Sequence, residues 1–486
     1  RARRRRAGPS SRPRTVSSRT KLVCTLGPAS ATPKMVRGLV EAGASVFRIN
    51  CSHGTPDDHA RGVSIVREVE RSTGLALAVL ADLPGPKVRL ADVDPDPFAF
   101  RPGQGFELRP GGPGDANGAS TTYPGVAGDL REGDRVLLAD GAVELMVVGI
   151  VGDVVHTECV RAGTVRSHQG VNVPAERLSL PPVTDRDREM LRHVLDLGVD
   201  LVAQSFVRDP SDIEELRAAM GDRPVPIVAK IETRPAVEDF ERILEVADAS
   251  MVARGDLGVE LPMEEIPLVQ KRLLRAAQIA SRPVIVATQM LESMIRSPRP
   301  TRAEANDVAT AVLDGANAIM LSGETAIGDY PFESASAATR IARAVESEGA
   351  EYRAAQPPCM HAGEAAAVAH AAASIVEGDS DVVAITCYTT TGRTAALLSE
   401  ERPRVPIHAF IPDADVRRAN GLLWGVQTHP ASRPEDTDRM IAMMDEALRA
   451  AGLAAEGDTV VMAASMPAGR TTTNMLKVHQ VGLTEV

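Results

Sequence analysis

A chain of 486 residues, 44% of them hydrophobic, is long for one domain and can build more than one sizeable core, so two or three domains are expected. Its cysteines, Cys24, Cys51, Cys159, Cys359 and Cys387, are scattered without a C-x-x-C pair that would suggest zinc or redox work, which suits a reducing, cytoplasmic setting. No apolar run reaches the roughly 18 to 20 residues that span a bilayer, and the acidic body, −20 once a +9 arm at residues 1–21 is set against the net −11, argues against nucleic acid as a partner.

The arm itself, RARRRRAGPSSRPRTVSSR, lacks the apolar centre of a secretory signal. It could serve as a basic arm or a transit peptide, and reads best as a disordered leader over 1–20. Apolar runs then follow at 21–25 (KLVCT), 45–49 (SVFRI), 76–81 (ALAVLA), 201–205 (LVAQS), 227–230 (IVAK), 249–253 (ASMVA), 284–288 (VIVAT) and 317–321 (NAIML). Segments with helical spacing separate most of them, which predicts a (β/α)8 barrel over 21–88 and 184–350. The gap at 89–183, rich in Gly, Pro, Val and Asp with Asp-Gly and Gly-Asp turn signals, predicts a small all-β domain inserted as a lid. Beyond 351, DVVAITCY, VPIHAF and DTVVMAAS alternate with helical stretches and predict a C-terminal α/β domain.

In a barrel of this kind, chemistry gathers at the C-terminal ends of the strands. Run two ends in Arg48-Ile49-Asn50-Cys51-Ser52-His53, run three in Asp82, run five in Lys230-Ile231-Glu232, run six in Arg254-Gly255-Asp256, run seven in Thr288, and run eight in Ser322-Gly323-Glu324. A single such residue reads as a cap or a surface charge; six strand ends behaving alike read as a site. Glu232 and Asp256 suit Mg2+, which takes one or two carboxylates and completes its shell with water and substrate oxygens. Arg48 and Lys230 place positive charge where a phosphoryl group would travel, and the Gly255-Asp256 backbone offers N–H groups to a carboxylate. With 48 Arg and only six Lys, a generic surface cation here is an arginine, which makes Lys87 and Lys230 conspicuous. This much predicts metal-assisted phosphoryl or enolate chemistry and leaves the substrate open.

The segments KLVCTLGPAS, FRINCSHG, KIET, MVARGDLGVELP and PVIVATQMLESMIRSPRPTRAEANDVATAVLDGANAIMLSGETAIGDYPF resemble the pyruvate kinase family, in the family's order, from Lys21 to the C-terminus. The resemblance implies phosphoryl transfer from phosphoenolpyruvate to ADP, with Glu232 and Asp256 holding Mg2+ or Mn2+ and Lys230 and Arg48 stabilising the phosphoryl group. It implies that Gly255, Asp256 and Thr288 contact substrate, that Thr288, Ser322 and Glu324 serve enolate protonation, and that Asn50, His53 and Arg89 face the nucleotide. It also implies a closing lid, a homotetramer, and an allosteric phosphate loop at Thr389-Thr390-Thr391-Gly392-Arg393-Thr394, with Arg470 assisting; a helix N-cap rich in Thr is the plainer reading of that loop.

One departure stands out. K+-requiring relatives use oxygens matching Asn50, Ser52, Asp82 and the Leu83 backbone, with Glu where this chain has Lys87. A fixed ammonium in place of the mobile cation predicts an enzyme that works without K+. Two rivals were a Mg2+-dependent lyase or aldolase barrel and a phosphate-ligand sensor without turnover.

Overall fold

The computed structural model describes residues 18–348, 363–465 and 472–483. Eight strands close into a barrel: β1 (Lys21–Thr25), β2 (Ala44–Asn50), β3 (Ala78–Asp82), β4 (Leu201–Gln204), β5 (Ile227–Ile231), β6 (Ala249–Ala253), β7 (Val284–Ala287) and β8 (Ala318–Leu321). Every neighbouring pair is parallel, and β1 closes the ring against β8 with Lys21 opposite Ala318. Each strand coincides with one of the eight apolar runs, to within a residue or two at its ends. Such strands are buried on both faces, so their sequences carry continuous hydrophobicity that is legible without alternation.

Alternate residues point inward and outward. Outward, Leu22, Cys24, Phe47, Ile49, Val79, Ala229 and Ile231 join the large core beneath the helical ring. Inward, Val23, Val46, Ala78, Leu80, Leu201, Ala203, Val228, Met251, Ile285 and Met320 fill the barrel. Continuing that inward register toward the C-terminal end brings Thr25, Arg48, Asp82, Ser205 and Lys230 to the mouth. The apolar filling thus ends in a polar layer on the same faces. Helices that return the chain start at side-chain caps: Thr55, Thr184 and Thr301 each form a capping box with an acid three residues on.

Between β3 and the helix Asp185–Asp196 lies a six-stranded sheet in the order Val171–Asn172, Arg135–Leu138, Val143–Val151, Val154–Arg161, Gly105–Arg109, Gly118–Ser120, beside a two-stranded ribbon. The expected turns are there: Asp140 and Gly141 have φ of 54° and 84°, and Gly152 has φ of 61°. The insertion is not purely β, since the helical turns Val126–Asp129 and Ala175–Arg177 interrupt it, and its outermost pair, Gly105–Arg109 with Gly118–Ser120, is parallel. Phe98, Phe100 and Phe106 pack edge to face at its centre, with ring centroids 4.8 to 5.2 Å apart.

The C-terminal sheet has five strands where the sequence suggested three. Val382–Tyr388, Ile407–Ile411 and Thr459–Ala464 are the predicted ones; Val426–Pro430 and the antiparallel Met475–Gln480 flank them as edges. Both edges mix polar with apolar side chains, Gln427, Thr428 and His429 in one and Lys477, His479 and Gln480 in the other, and so lack an apolar run. This domain seats on the barrel floor, where Leu422 joins the inward-facing barrel cluster. Asp200, nearly fully buried, binds Arg67 at 2.6 Å and Arg418 of the C-terminal domain at 2.7 Å. Among the described residues no helix is long and apolar enough to cross a membrane.

Candidate active site

Asp82 is the hub of the mouth. One carboxylate oxygen receives Arg48 Nε at 2.7 Å; the other lies 3.2 Å from Lys230 Nζ and 3.3 Å from Ser205 Oγ. Lys230 also reaches Glu232 at 2.8 Å and donates to Ser205 Oγ at 2.7 Å. Arg48 donates a further hydrogen bond to Thr25 Oγ1 at 3.2 Å. Strand order explains the meeting: β2 and β3 pair with Arg48 opposite Leu80, and β4 lies between β3 and β5, so their inward residues converge.

Burial disfavours charge on Asp82, yet Lys230 and Arg48 hold its carboxyl below the usual carboxylate range. Burial likewise opposes the Lys230 ammonium, but Asp82 and Glu232 more than offset it and raise its pKa. Glu232 moves the other way: burial, reinforced by Asp256, outweighs the help from Lys230 and lifts its pKa. Lys230 is thus kept charged chiefly by Asp82, and Glu232 is the more easily protonated of the two.

Thr25 and Ser205 went unremarked in the sequence reading, although they end runs one and four. The same rule applied to all eight runs finds both. Phe206 follows at φ +56°, and its backbone N–H donates to Glu232 at 2.9 Å.

Around the ring, β6 and β7 bring Gly255 and Thr288 together. Thr288 Oγ1 accepts the Gly255 N–H at 2.8 Å and donates to the Ala287 carbonyl at 2.6 Å. The Gly255 donor that the sequence offered to a carboxylate is therefore already engaged. Thr288 sits at φ +68°, rare for a β-branched residue, and Gln289 at +53°. Arg254 clamps this turn through the Thr288 carbonyl at 2.7 Å and Asp307 at 2.7 Å. Glu324 is 1% exposed, and its two oxygens accept backbone N–H groups of Leu291 at 3.0 Å and Ser322 at 2.7 Å, which pins the β7 and β8 loops to each other.

Lys87 points into the mouth. Its Nζ lies 3.2 Å from Asp256 Oδ1, 3.8 Å from Asp140 at a turn of the inserted domain, and 5.9 Å from the Phe206 ring centroid. Of the other residues grouped with the monovalent cation, Asn50 Oδ1 accepts the Ser52 N–H at 3.2 Å and the Leu83 carbonyl accepts Ser205 Oγ at 2.7 Å. Burial, then the charges of Arg89, Arg48 and Lys87, lower the pKa of His53, so these groups share one positive field. Arg89 donates to the His168 carbonyl at 3.1 Å.

Among the described residues no cluster of three or more His, Cys, Asp or Glu forms a ready metal cage. Glu232 and Asp256, near enough to repel each other, fit a hard cation that takes two carboxylates and leaves its other positions to water and substrate.

The threonine loop lies far from this mouth, in the C-terminal domain. Thr389 Oγ1 accepts the Gly392 N–H at 3.1 Å and Thr391 Oγ1 the Arg393 N–H at 3.4 Å, while Thr394 meets Thr473 at 2.6 Å. Gly392, at φ +84°, backs onto Asn420 so closely that a Cβ would stand 2.2 Å from its side chain. Thr390 is half-buried while Thr391 and Arg393 are exposed, and Arg470 lies outside the described residues.

The family description "Pyruvate kinase, barrel domain" matches residues 17–335, and "Pyruvate kinase, alpha/beta domain" matches 366–479. The chain is 43% identical over 477 residues to the pyruvate kinase of Mycobacterium intracellulare, covering 97% of this chain and 100% of that one. Against the pyruvate kinase of Corynebacterium efficiens it is 43% identical over 468 residues, covering 96% and 98%. A solved pyruvate kinase from Cryptosporidium parvum matches with a TM-score of 0.89 at 29% identity, over 97% of this chain and 98% of that one. Matched by both family descriptions and by relatives along nearly its whole length, the chain belongs to the pyruvate kinase family.

Proposed function

We propose that this enzyme transfers the phosphoryl group of phosphoenolpyruvate to ADP, giving pyruvate and ATP, with Glu232 and Asp256 as the protein ligands of Mg2+ or Mn2+. The observation that carries the site assignment is the Arg48–Asp82–Lys230–Glu232 network. It fixes two cations at the mouth of a barrel whose remaining interior is apolar. A divalent cation supplies charge neutralisation at phosphate and enolate oxygens when bound. Lys230 and Arg48 provide fixed positive charge for the phosphoryl group in transit, held in place by Asp82 so that little reorganisation is needed. Thr288, in its left-handed turn beside Gly255, meets the substrate by turning its hydroxyl hydrogen away from the Ala287 carbonyl. Ser322, with its backbone held by Glu324, borders the path by which the enolate gains its proton. Asn50, His53 and Arg89 take the nucleotide, and the inserted domain closes over them to exclude water.

Lys87 supplies the charge that K+ brings in relatives, so catalysis proceeds without K+; its ammonium among Asp256, Asp140 and Phe206 supports this reading. The loop Thr389–Thr394 takes a phosphorylated activator, and the protein works as a cytoplasmic homotetramer. Pyruvate formation from phosphoenolpyruvate and ADP with Mg2+, measured in K+-free buffer and again with K+, tests the whole. Equal rates in both support the Lys87 assignment, activity only with K+ removes it, and no activity in either overturns the function.

A further inference from the structure

His59 is a buried imidazole, 4% exposed, in the first turn of the helix Pro56–Thr73. Its Nε2 lies 2.8 Å from the His53 carbonyl oxygen. A carbonyl only accepts, so Nε2 carries the hydrogen of this bond. Its other nitrogen, Nδ1, is buried with no partner among the described residues. An imidazole in that state costs free energy that a leucine of similar volume would not, and what it provides is the one bond to His53.

That bond holds a particular piece of chain. Between β2 and the helix, the loop Asn50–Thr55 is tied at its start by Asn50, whose Oδ1 accepts Ser52 N–H and whose carbonyl accepts His53 N–H at 3.2 Å. The Thr55–Asp58 capping box ties its end. Gly54, at φ +78°, turns the chain between the two, and a Cβ there would stand 3.5 Å from His59 Nε2. His59 therefore supplies the central tie, at the residue whose imidazole feels the charges of Arg89, Arg48 and Lys87. Its own ring is backed by His193 of the helix Asp185–Asp196, at 6.2 Å between centroids, whose Nε2 lies 3.2 Å from the Pro56 carbonyl.

We infer that His59 is a positioning residue for the nucleotide end of the pocket: its Nε2–H fixes the His53 backbone so that His53 and Asn50 meet the diphosphate of ADP. The inference rests on the reading of Asn50, His53 and Arg89 as the nucleotide side, and three full-length variants separate the two. His59→Leu removes the donor, His59→Gln returns an amide N–H to nearly the same place, and His53→Ala tests the underlying reading. Losing one hydrogen bond of this kind corresponds to roughly a tenfold effect. His59→Leu is expected to raise KM for ADP, and the ADP dissociation constant by calorimetry, about tenfold, with kcat and KM for phosphoenolpyruvate within about twofold; His59→Gln is expected to restore most of the loss. Should His59→Leu fail to fold, His59→Asn, whose shorter amide stops short of the carbonyl, takes its place. Equal losses toward both substrates, or no rescue by Gln, overturn the inference. If His53→Ala raises KM for ADP while His59→Leu does not, the positioning role alone falls; if neither does, the nucleotide reading falls with it.

Discussion

Replacing Lys230 by methionine keeps an unbranched stem one atom shorter and removes the ammonium, which now lies 2.8 Å from Glu232, 3.2 Å from Asp82 and 2.7 Å from Ser205 Oγ. Asp82 retains Arg48 at 2.7 Å, whereas Glu232 keeps the Phe206 N–H at 2.9 Å and no described cation in hydrogen-bond reach. Leaving a buried charge alone costs about 3–5 kcal/mol. Glu232 has an escape, because a carboxyl of ordinary pKa 4.5 can be protonated at pH 7.5 for about 4 kcal/mol, and burial already lifts this one. The destabilisation of Lys230→Met at pH 7.5 is therefore expected below about 4 kcal/mol, and to shrink by about 1.4 kcal/mol for each unit that the pH is lowered toward 4.5, the ordinary value that holds in the unfolded chain. Activity should fall by about 10²–10³ in kcat, the usual loss when one preorganised transition-state charge is removed. Denaturant unfolding at pH 7.5 and 5.5 gives the first quantity, and coupled pyruvate detection gives the second. A folded variant within tenfold of the parent kcat would refute Lys230 as the phosphoryl-stabilising cation, and a pH-independent destabilisation would refute the account of Glu232.

Lys87→Glu should lose activity in K+-free buffer and regain it with saturating K+; no dependence on K+ in either protein would remove Lys87 from that role. Burial lowers the pKa of His429, beside His408 at 3.1 Å, from 6.5 to about 4. The unfolded chain thus gains a proton near pH 6.5 that the folded chain refuses until about 4, so stability present above pH 6.5 is lost as pH falls through that window. At pH 5 the loss is about 2 kcal/mol, and His429→Phe should flatten the difference between pH 7.5 and 5 seen in thermal unfolding. Leu422→Ala, which opens the barrel floor from the C-terminal side, should cost about 2–5 kcal/mol. Fluorescence of the sole tryptophan, Trp424, with Arg402 4.7 Å from its ring, reports the loosening, and an unchanged unfolding midpoint would show that the floor is not a shared core.

Strands buried on both faces announce themselves, and for that reason all eight barrel strands were legible while the half-exposed Val426–Pro430 and Met475–Gln480 were not. The residues of the mouth were equally legible as strand ends. Their partners were not, because Arg48 and Asp82 are 34 positions apart and Ser205 and Asp82 123 apart. Only closure of the ring decides which inward faces touch. Glu324 shows a second limit: sequence marks an acid at a strand end, but only the fold reveals both of its oxygens satisfied by the backbone of two loops. Asp140 shows a third, since it reaches Lys87 from a turn of the inserted domain whose placement no strand pattern encodes.

Lys87, Lys230 and Arg48 at the mouth each rest on a carboxylate: Lys87 on Asp256, Lys230 on Glu232 and Asp82, and Arg48 on Asp82. Uncompensated burial of any of these groups would cost several kcal/mol, so mutual pairing is what lets a polar layer sit on an apolar barrel. The same pairing bears on how the pocket takes its ligands. Two of the three carboxylates, Glu232 and Asp256, are those assigned to the divalent cation, and each is now neutralised by a lysine. On that reading, Lys87 and Lys230 would be freed toward an anionic substrate once those carboxylates had another positive partner, whereas Arg48 would stay anchored on Asp82. If Glu232 and Asp256 take the divalent cation as proposed, charge balance would favour joint uptake of cation and phosphoenolpyruvate over uptake of either alone, with Asp82 keeping Arg48 fixed while the two lysines change partners.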